Sequence, residues 1–193
     1  MYVVEPSRRQ ILRYQQTFDG SAFQVPSPYL VTESDEVADF RELHIDSDLY
    51  ALAADGVQKY EFGRFQPFSL EEMPDEADLL PGHDFRLLTG TGSDSTGGLL
   101  YLYDAKWDRV VVFDKADGDY VRQWLPGPDG PSMDDMRGLV VVPGSKKRPD
   151  TLYWMTPEGI FDASLSARSE GVPGVSAPQG REPKDKGRRK SGS

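Results

Sequence analysis

Three copies of a five-residue phrase carry the side chains best suited to chemistry. They are Asp39-Phe40-Arg41-Glu42-Leu43, Asp84-Phe85-Arg86-Leu87-Leu88 and Asp135-Met136-Arg137-Gly138-Leu139. Brought together, the three carboxylates and three guanidiniums would make a ring of alternating charge able to bind a ligand. The plainer role is hydrogen bonding to backbone between neighbouring repeats, and a phrase repeated this often favours it. The only two histidines are His44 and His83, and His83 directly precedes Asp84. A His–Asp pair could serve as a base in hydrolysis. No nucleophile or metal-binding constellation surrounds these residues, which favours structural or surface roles. Trp107 stands in a turn with Lys106 and Asp108, and Arg8 and Arg9 occupy the corresponding turn near the start. An aromatic at a turn tip can anchor a partner, or it can fold back on its own hairpin. Trp124 and Trp154 lie within apolar runs and read as core. Asp94, Asp117 and Asp129 read as turn residues, though carboxylates alone can hold Ca²⁺ weakly. The residues define no catalytic set, no metal site and no cofactor.

A longer repeat must position these groups. Met1-Tyr2-Val3-Val4, Leu49-Tyr50-Ala51-Leu52, Leu100-Tyr101-Leu102-Tyr103 and Leu152-Tyr153-Trp154-Met155 are variants of one phrase, with tyrosines 48, 51 and 52 residues apart. A second apolar burst follows each: Ile11-Leu12, Val57 to Tyr60, Val110 to Phe113 and Ile160-Phe161. Such a period, with several short strands per unit, marks a β-propeller blade. The predicted class is therefore all-β, with four blade units at about 1–31, 38–72, 83–125 and 134–165.

β-Branched and aromatic runs between turn residues predict fourteen strands. The first unit has strands near Tyr2–Glu5, Gln10–Gln15 and Phe23–Val25. The second has Phe40–Ile45, Leu49–Ala53, Val57–Phe62 and Arg64–Phe68. The third has Phe85–Thr89, Leu99–Asp104, Arg109–Asp114 and Tyr120–Leu125, and the fourth Met136–Val142, Leu152–Met155 and Ile160–Ser164. Several are apolar at consecutive positions, as strands covered on both faces should be. Gly97-Gly98 and Asp117-Gly118 supply turns that need positive φ. The acidic, Pro-bounded stretch Ser69–Gly82 could hold a helical turn at Leu70–Met73. With strands labelled A to D outward from the axis, the first unit lacks A and the last lacks D. This predicts the C-terminal part of a larger propeller, the rival being a complete four-blade ring with two thin blades.

Composition narrows the function classes. The chain has 193 residues, 37% hydrophobic, with 34 Gly and Pro together, no Cys and no Asn. Disulfides and thiolate metal sites are excluded, while the compartment stays open. No apolar run approaches the ~18 residues needed for a transmembrane helix. Net charge is −10. Residues 181–193 hold six basic and two acidic side chains, so that segment carries +4 and the rest −14. An acidic body repels phosphate backbones and argues against nucleic acid as a partner. Residues 166–193, rich in Ser, Gly, Pro, Lys and Arg, read as a disordered basic tail.

The third unit carries a family likeness. Leu100-Tyr101-Leu102-Tyr103-Asp104-Ala105-Lys106-Trp107-Asp108-Arg109-Val110-Val111-Val112-Phe113-Asp114, continuing through Gly118 to Trp124, resembles the NHL repeat of six-bladed-type propellers. The likeness places Asp104 and Arg109 beside the turn between the second and third strands, with Trp107 replacing the family's Asn. Unit one is a weaker copy with Glu5 and Gln10, and units two and four lose the pair. Gluconolactonase-type propellers are more distant relatives that use a channel metal held by Glu, Asn and Asp. Without Asn that set is incomplete here. The resemblance implies a non-catalytic platform for a protein or small-molecule partner on the face bearing the B–C and D–A turns. Asp39, Arg41, Asp84, Arg86, Asp135, Arg137, Trp107 and His83 would be its contacts. It further implies the C-terminal sensory or scaffold part of a larger bacterial signalling or membrane-anchored protein. The alternative is a lactonase- or esterase-type hydrolase.

Overall fold

Continuous apolar runs can only be satisfied in a strand covered on both faces, because successive side chains point to opposite sides. The computed structural model, which describes residues 1–71, 82–93, 97–126, 130–145 and 148–165, meets that requirement with stacked sheets. Its described residues form fourteen strands in four antiparallel sheets. The first sheet holds β1 (Tyr2–Glu5), β2 (Gln10–Arg13) and β3 (Ser27–Pro28). The second holds β4 (Glu42–Ile45), β5 (Leu49–Ala53), β6 (Gly56–Glu61) and β7 (Arg64–Gln66). The third holds β8 (Phe85–Thr91), β9 (Leu99–Asp104), β10 (Arg109–Asp114) and β11 (Tyr120–Trp124). The fourth holds β12 (Gly138–Val142), β13 (Thr151–Thr156) and β14 (Gly159–Ser164). Within each sheet the strands lie in chain order.

Three apolar layers separate the four sheets. Ile11, Leu30 and Val37 meet Leu49, Ala51 and Tyr60 between the first and second. Tyr50 and Leu52, on the other face of β5, meet Leu100, Leu102, Val111 and Phe113. Tyr101, Tyr103, Val110 and Val112 turn away from that layer and pack on Met133, Leu139, Leu152 and Trp154. The period of two thus assigns neighbouring residues of one strand to different cores. Each large side chain fully buried this way is worth about 1.5–3 kcal/mol. Strand β8 packs against both β4 and β12, so the first strands of the last three sheets lie side by side.

The turns repeat a contact between sheets. Gly63, in the β6–β7 turn, accepts a hydrogen bond at its carbonyl from Val31 N (2.9 Å) in the segment after β3. Gly118, in the β10–β11 turn, accepts the same bond from Glu71 N (2.9 Å) after β7. Both glycines have positive φ, +75° and +82°. A Cβ on either would fall inside contact distance of the Tyr29 or Ser69 carbonyl oxygen. The third turn of each four-stranded sheet is therefore latched to the segment leaving the sheet before it.

One strand lies elsewhere than predicted. Phe23–Val25 is not the third strand of the first sheet: Phe23 makes only an isolated bridge to Gln16, and Ser27–Pro28 pairs with β2. Val25 is exposed and Tyr29 packs edge-on against Tyr2 at 5.3 Å, so the tyrosine contact sets the register. No helix among the described residues is long and apolar enough to cross a membrane. The helical turn expected from Leu70 to Met73, Asp94, Asp129 and the tail 166–193 lie wholly or partly outside the described residues.

Candidate functional site

The three Asp-apolar-Arg phrases lead into β4, β8 and β12 at the same end of each sheet, and only Arg86 lies within its strand. Arg41 Nη1 crosses from the second sheet to the third, donating to the Phe85 carbonyl (3.2 Å) and lying 3.7 Å from Asp84 Oδ1. The other oxygen of Asp84 accepts from Arg86 Nε (2.8 Å) and lies 2.7 Å from Arg86 Nη2. Arg137 Nη2 donates to Asp135 Oδ2 (2.8 Å). Arg41, Asp84 and Arg86 thus form a continuous, alternating run of charge across two sheets. The hydrogen bond that Arg86 donates to Asp84, and then the Asp84 charge, hold its guanidinium further toward the charged form, with Asp135 the smallest contributor. Asp39 ends a 3₁₀ turn over Asp35–Asp39 and is exposed.

His83 and Trp107 flank this row. The imidazole of His83 stacks on Phe85 with centroids 4.3 Å apart, while the carboxylate of Asp84 is engaged by arginines. Trp107 folds back: its indole Nε1 donates to the Gly82 carbonyl (3.1 Å), and Lys106 Nζ lies 5.5 Å from its ring centroid. The half-buried indole consequently fixes the segment entering β8.

Asp104 and Arg109, at the ends of the β9–β10 turn, are both fully buried and joined at 2.8 Å. Asp104 Oδ1 also accepts from the backbone N–H groups of Asp84 (2.9 Å) and Lys106 (3.2 Å). Arg109 Nη1 reaches Gln123 Oε1 on β11 (2.8 Å). The pair ties three strands together and presents nothing to solvent. In the first sheet Gln10 does similar work, exchanging two 3.0 Å bonds with the backbone of Leu30.

A second cluster lies at the opposite end of the strands. Lys115, from the β10–β11 turn, is wholly buried, and its Nζ donates to Asp46 Oδ2 and to the Gly92 carbonyl (2.9 Å). It lies 3.2 Å from His44 Nε2 and 5.4 Å from the Tyr50 ring centroid. Lys59 approaches the same ring and pairs with Asp48 at 3.5 Å. Burial, then the Lys115 charge, pushes the His44 pKa down. Burial raises that of Asp46, but hydrogen bonding and attraction from Lys115 outweigh it and leave it below the ordinary value. His44 Nε2 also lies 3.3 Å from Asp46 Oδ2, so a neutral ring can accept there from the ammonium or donate to the carboxylate. Gly90 makes room, since a Cβ there would lie 2.6 Å from His44 Nε2 and 2.8 Å from Lys115 Cε.

Sequence reasoning singled out His44 but not Lys115, which sits in Asp114-Lys115-Ala116-Asp117-Gly118, a stretch that reads as a solvated turn. Nothing local marks it, because its partners lie 69 and 71 residues earlier. Among the described residues no three His, Asp or Glu side chains converge as metal ligands. No family model and no curated protein matches this chain.

Proposed function

We propose that this chain is a non-catalytic β-propeller module that binds a protein or small-molecule partner through the end of its sheets bearing the arginine–aspartate row. The observation that carries the reading is the exposed run Arg41–Asp84–Arg86, which spans two sheets with His83 and Trp107 beside it. Charged pairs at an exposed rim contribute little to stability but a great deal to orientation and partner choice. The propeller reading rests on the four stacked sheets, the adjacency of β4, β8 and β12, and the repeated latch at Gly63 and Gly118. The apolar outer face of the fourth sheet supports further blades beyond these four. A sensory or scaffold role within a larger bacterial protein follows from the NHL-like resemblance.

Two measurements test this. Purified protein should show no lactonase or esterase turnover with divalent metals, and robust turnover abolished by Asp84→Ala or His83→Ala would reverse the conclusion. A photo-crosslinker placed at Arg86 should capture one partner saturably, and Arg41→Glu should abolish that capture. Undiminished capture in that variant would move the binding surface elsewhere.

A further inference from the structure

A cavity of about 430 Å³ opens between the first and second sheets, at the end of the strands opposite the arginine–aspartate row. Its size is that of a small-molecule pocket. Tyr2 and Tyr29, perpendicular to each other at 5.3 Å, contribute to its lining, as does Phe62 from the β6–β7 turn. Arg13 lines it from the end of β2, and the β4–β5 turn contributes Asp46 and Asp48.

The charges at this cavity are unequally satisfied. Asp46 is matched by Lys115 and Asp48 by Lys59. Arg13 has no carboxylate at ion-pair distance among the described residues, and its Nε is buried without a hydrogen-bond partner. The local excess is therefore one guanidinium, the side chain whose planar fork best matches a carboxylate.

Phe62 adds an exposed aromatic face to the lining. It is 81% exposed and has φ of +48°. Positive φ at both Phe62 and Gly63 is what the two-residue turn between the paired Glu61 and Arg64 requires. The hydrogen bond from Val31 N to Gly63 O holds the turn in place, so the ring stays at the cavity despite gaining little burial.

We propose that this cavity binds a small carboxylate bearing an aromatic ring, with the carboxylate on Arg13 and the ring against Tyr2, Tyr29 and Phe62. The ligand supplies a carboxylate partner for the terminal nitrogens of Arg13 and covers the exposed phenyl ring. The same chemistry occurs in a free aromatic acid and in the carboxylate of a peptide ending in an aromatic residue. This inference is independent of the partner surface at the other end of the sheets.

Titration calorimetry of the intact chain tests it with N-acetylphenylalanine, its primary amide, and an acetylated tripeptide ending in phenylalanine. The acid should bind saturably and the amide at least about tenfold more weakly, the worth of a charge-assisted bond. Tripeptide binding equal to or tighter than that of the free acid would identify a peptide terminus as the source, and weaker binding a free acid. Arg13→Gln should abolish binding, and Phe62→Ala should weaken it with the fold retained by circular dichroism. The acid–amide comparison needs no variant, so it decides even if Arg13→Gln fails to fold. Equal affinity for acid and amide, or no saturable binding of the acid, would overturn the proposal.

Discussion

Individual side chains divide into those that hold the fold and those free to meet a partner. Asp104 and Arg109 belong to the first group, because neither touches solvent. Asp104→Ala should cost about 3–5 kcal/mol by leaving the Arg109 charge buried and unpaired. Replacing both by apolar residues of similar size should cost much less, and denaturant titration of the single and double variants checks this. The His44–Asp46–Lys115 cluster predicts a pH dependence. His44 has a folded-state pKa below its unfolded value of about 6.5. Its contribution is complete above that pH and is lost as pH falls toward the folded pKa, because the unfolded chain takes the proton first. Asp46, also depressed, adds a loss of the same sign below about pH 4. Melting temperature should therefore fall between pH 7 and 5, and His44→Gln should flatten that decline. An unchanged slope in the variant would contradict this account.

At the scale of elements, the repeated unit is a hairpin meander whose third turn grips the sheet before it. Gly63 and Gly118 have the same φ sign, the same hydrogen bond and the same crowding against a carbonyl oxygen. Alanine at either position meets both backbone strain and a clash, and should cost about 2 kcal/mol or more. Gly97 has nothing within 4 Å of its Cβ direction, so Gly97→Ala should cost less, its φ of +75° alone opposing it. Thermal melts of the three variants rank these costs. The three phrase arginines should differ too. Arg41 links two sheets through the Phe85 carbonyl, and Arg41→Ala should cost about 1 kcal/mol. Arg86 and Arg137 pair with aspartates two residues away on exposed surface, and their alanine variants should melt unchanged. Equal destabilisation by all three would restore the uniform interblade role.

For the molecule as a whole, the unequal covering of its sheets matters most. Strands β5, β9 and β10 are buried on both faces, whereas β12 and β13 alternate. Val140, Val142, Tyr153, Met155 and Ile160 point away from the third sheet into solvent. An apolar sheet face of this kind favours association. The isolated chain should therefore self-associate with rising concentration in analytical ultracentrifugation. Tyr153→Lys with Ile160→Lys should shift it toward monomer, and a concentration-independent monomer of the unaltered chain would refute the idea.

Local residue patterns were enough to give the type and approximate limits of thirteen of the fourteen strands among the described residues. Leu99–Asp104 and Arg109–Asp114 could be read to the residue because apolar runs between turn formers are local signals. The double burial of those strands was also legible, since a continuous apolar run leaves no face for water. The third strand of the first sheet was not, because Ser27–Pro28 has no β pattern and is placed by Tyr29 packing on Tyr2. The Asp–Arg phrases were visible as repeats, yet only packing showed that Arg41 bridges sheets while Arg86 and Arg137 fold onto their own aspartates. Gly63 read as a turn, but its latch to Val31, like Lys115 and the cavity beside Arg13, carried no local signal. Their roles depend on residues tens of positions away, and a contact formed across sheets is fixed by how the layers stack, which no window of sequence contains.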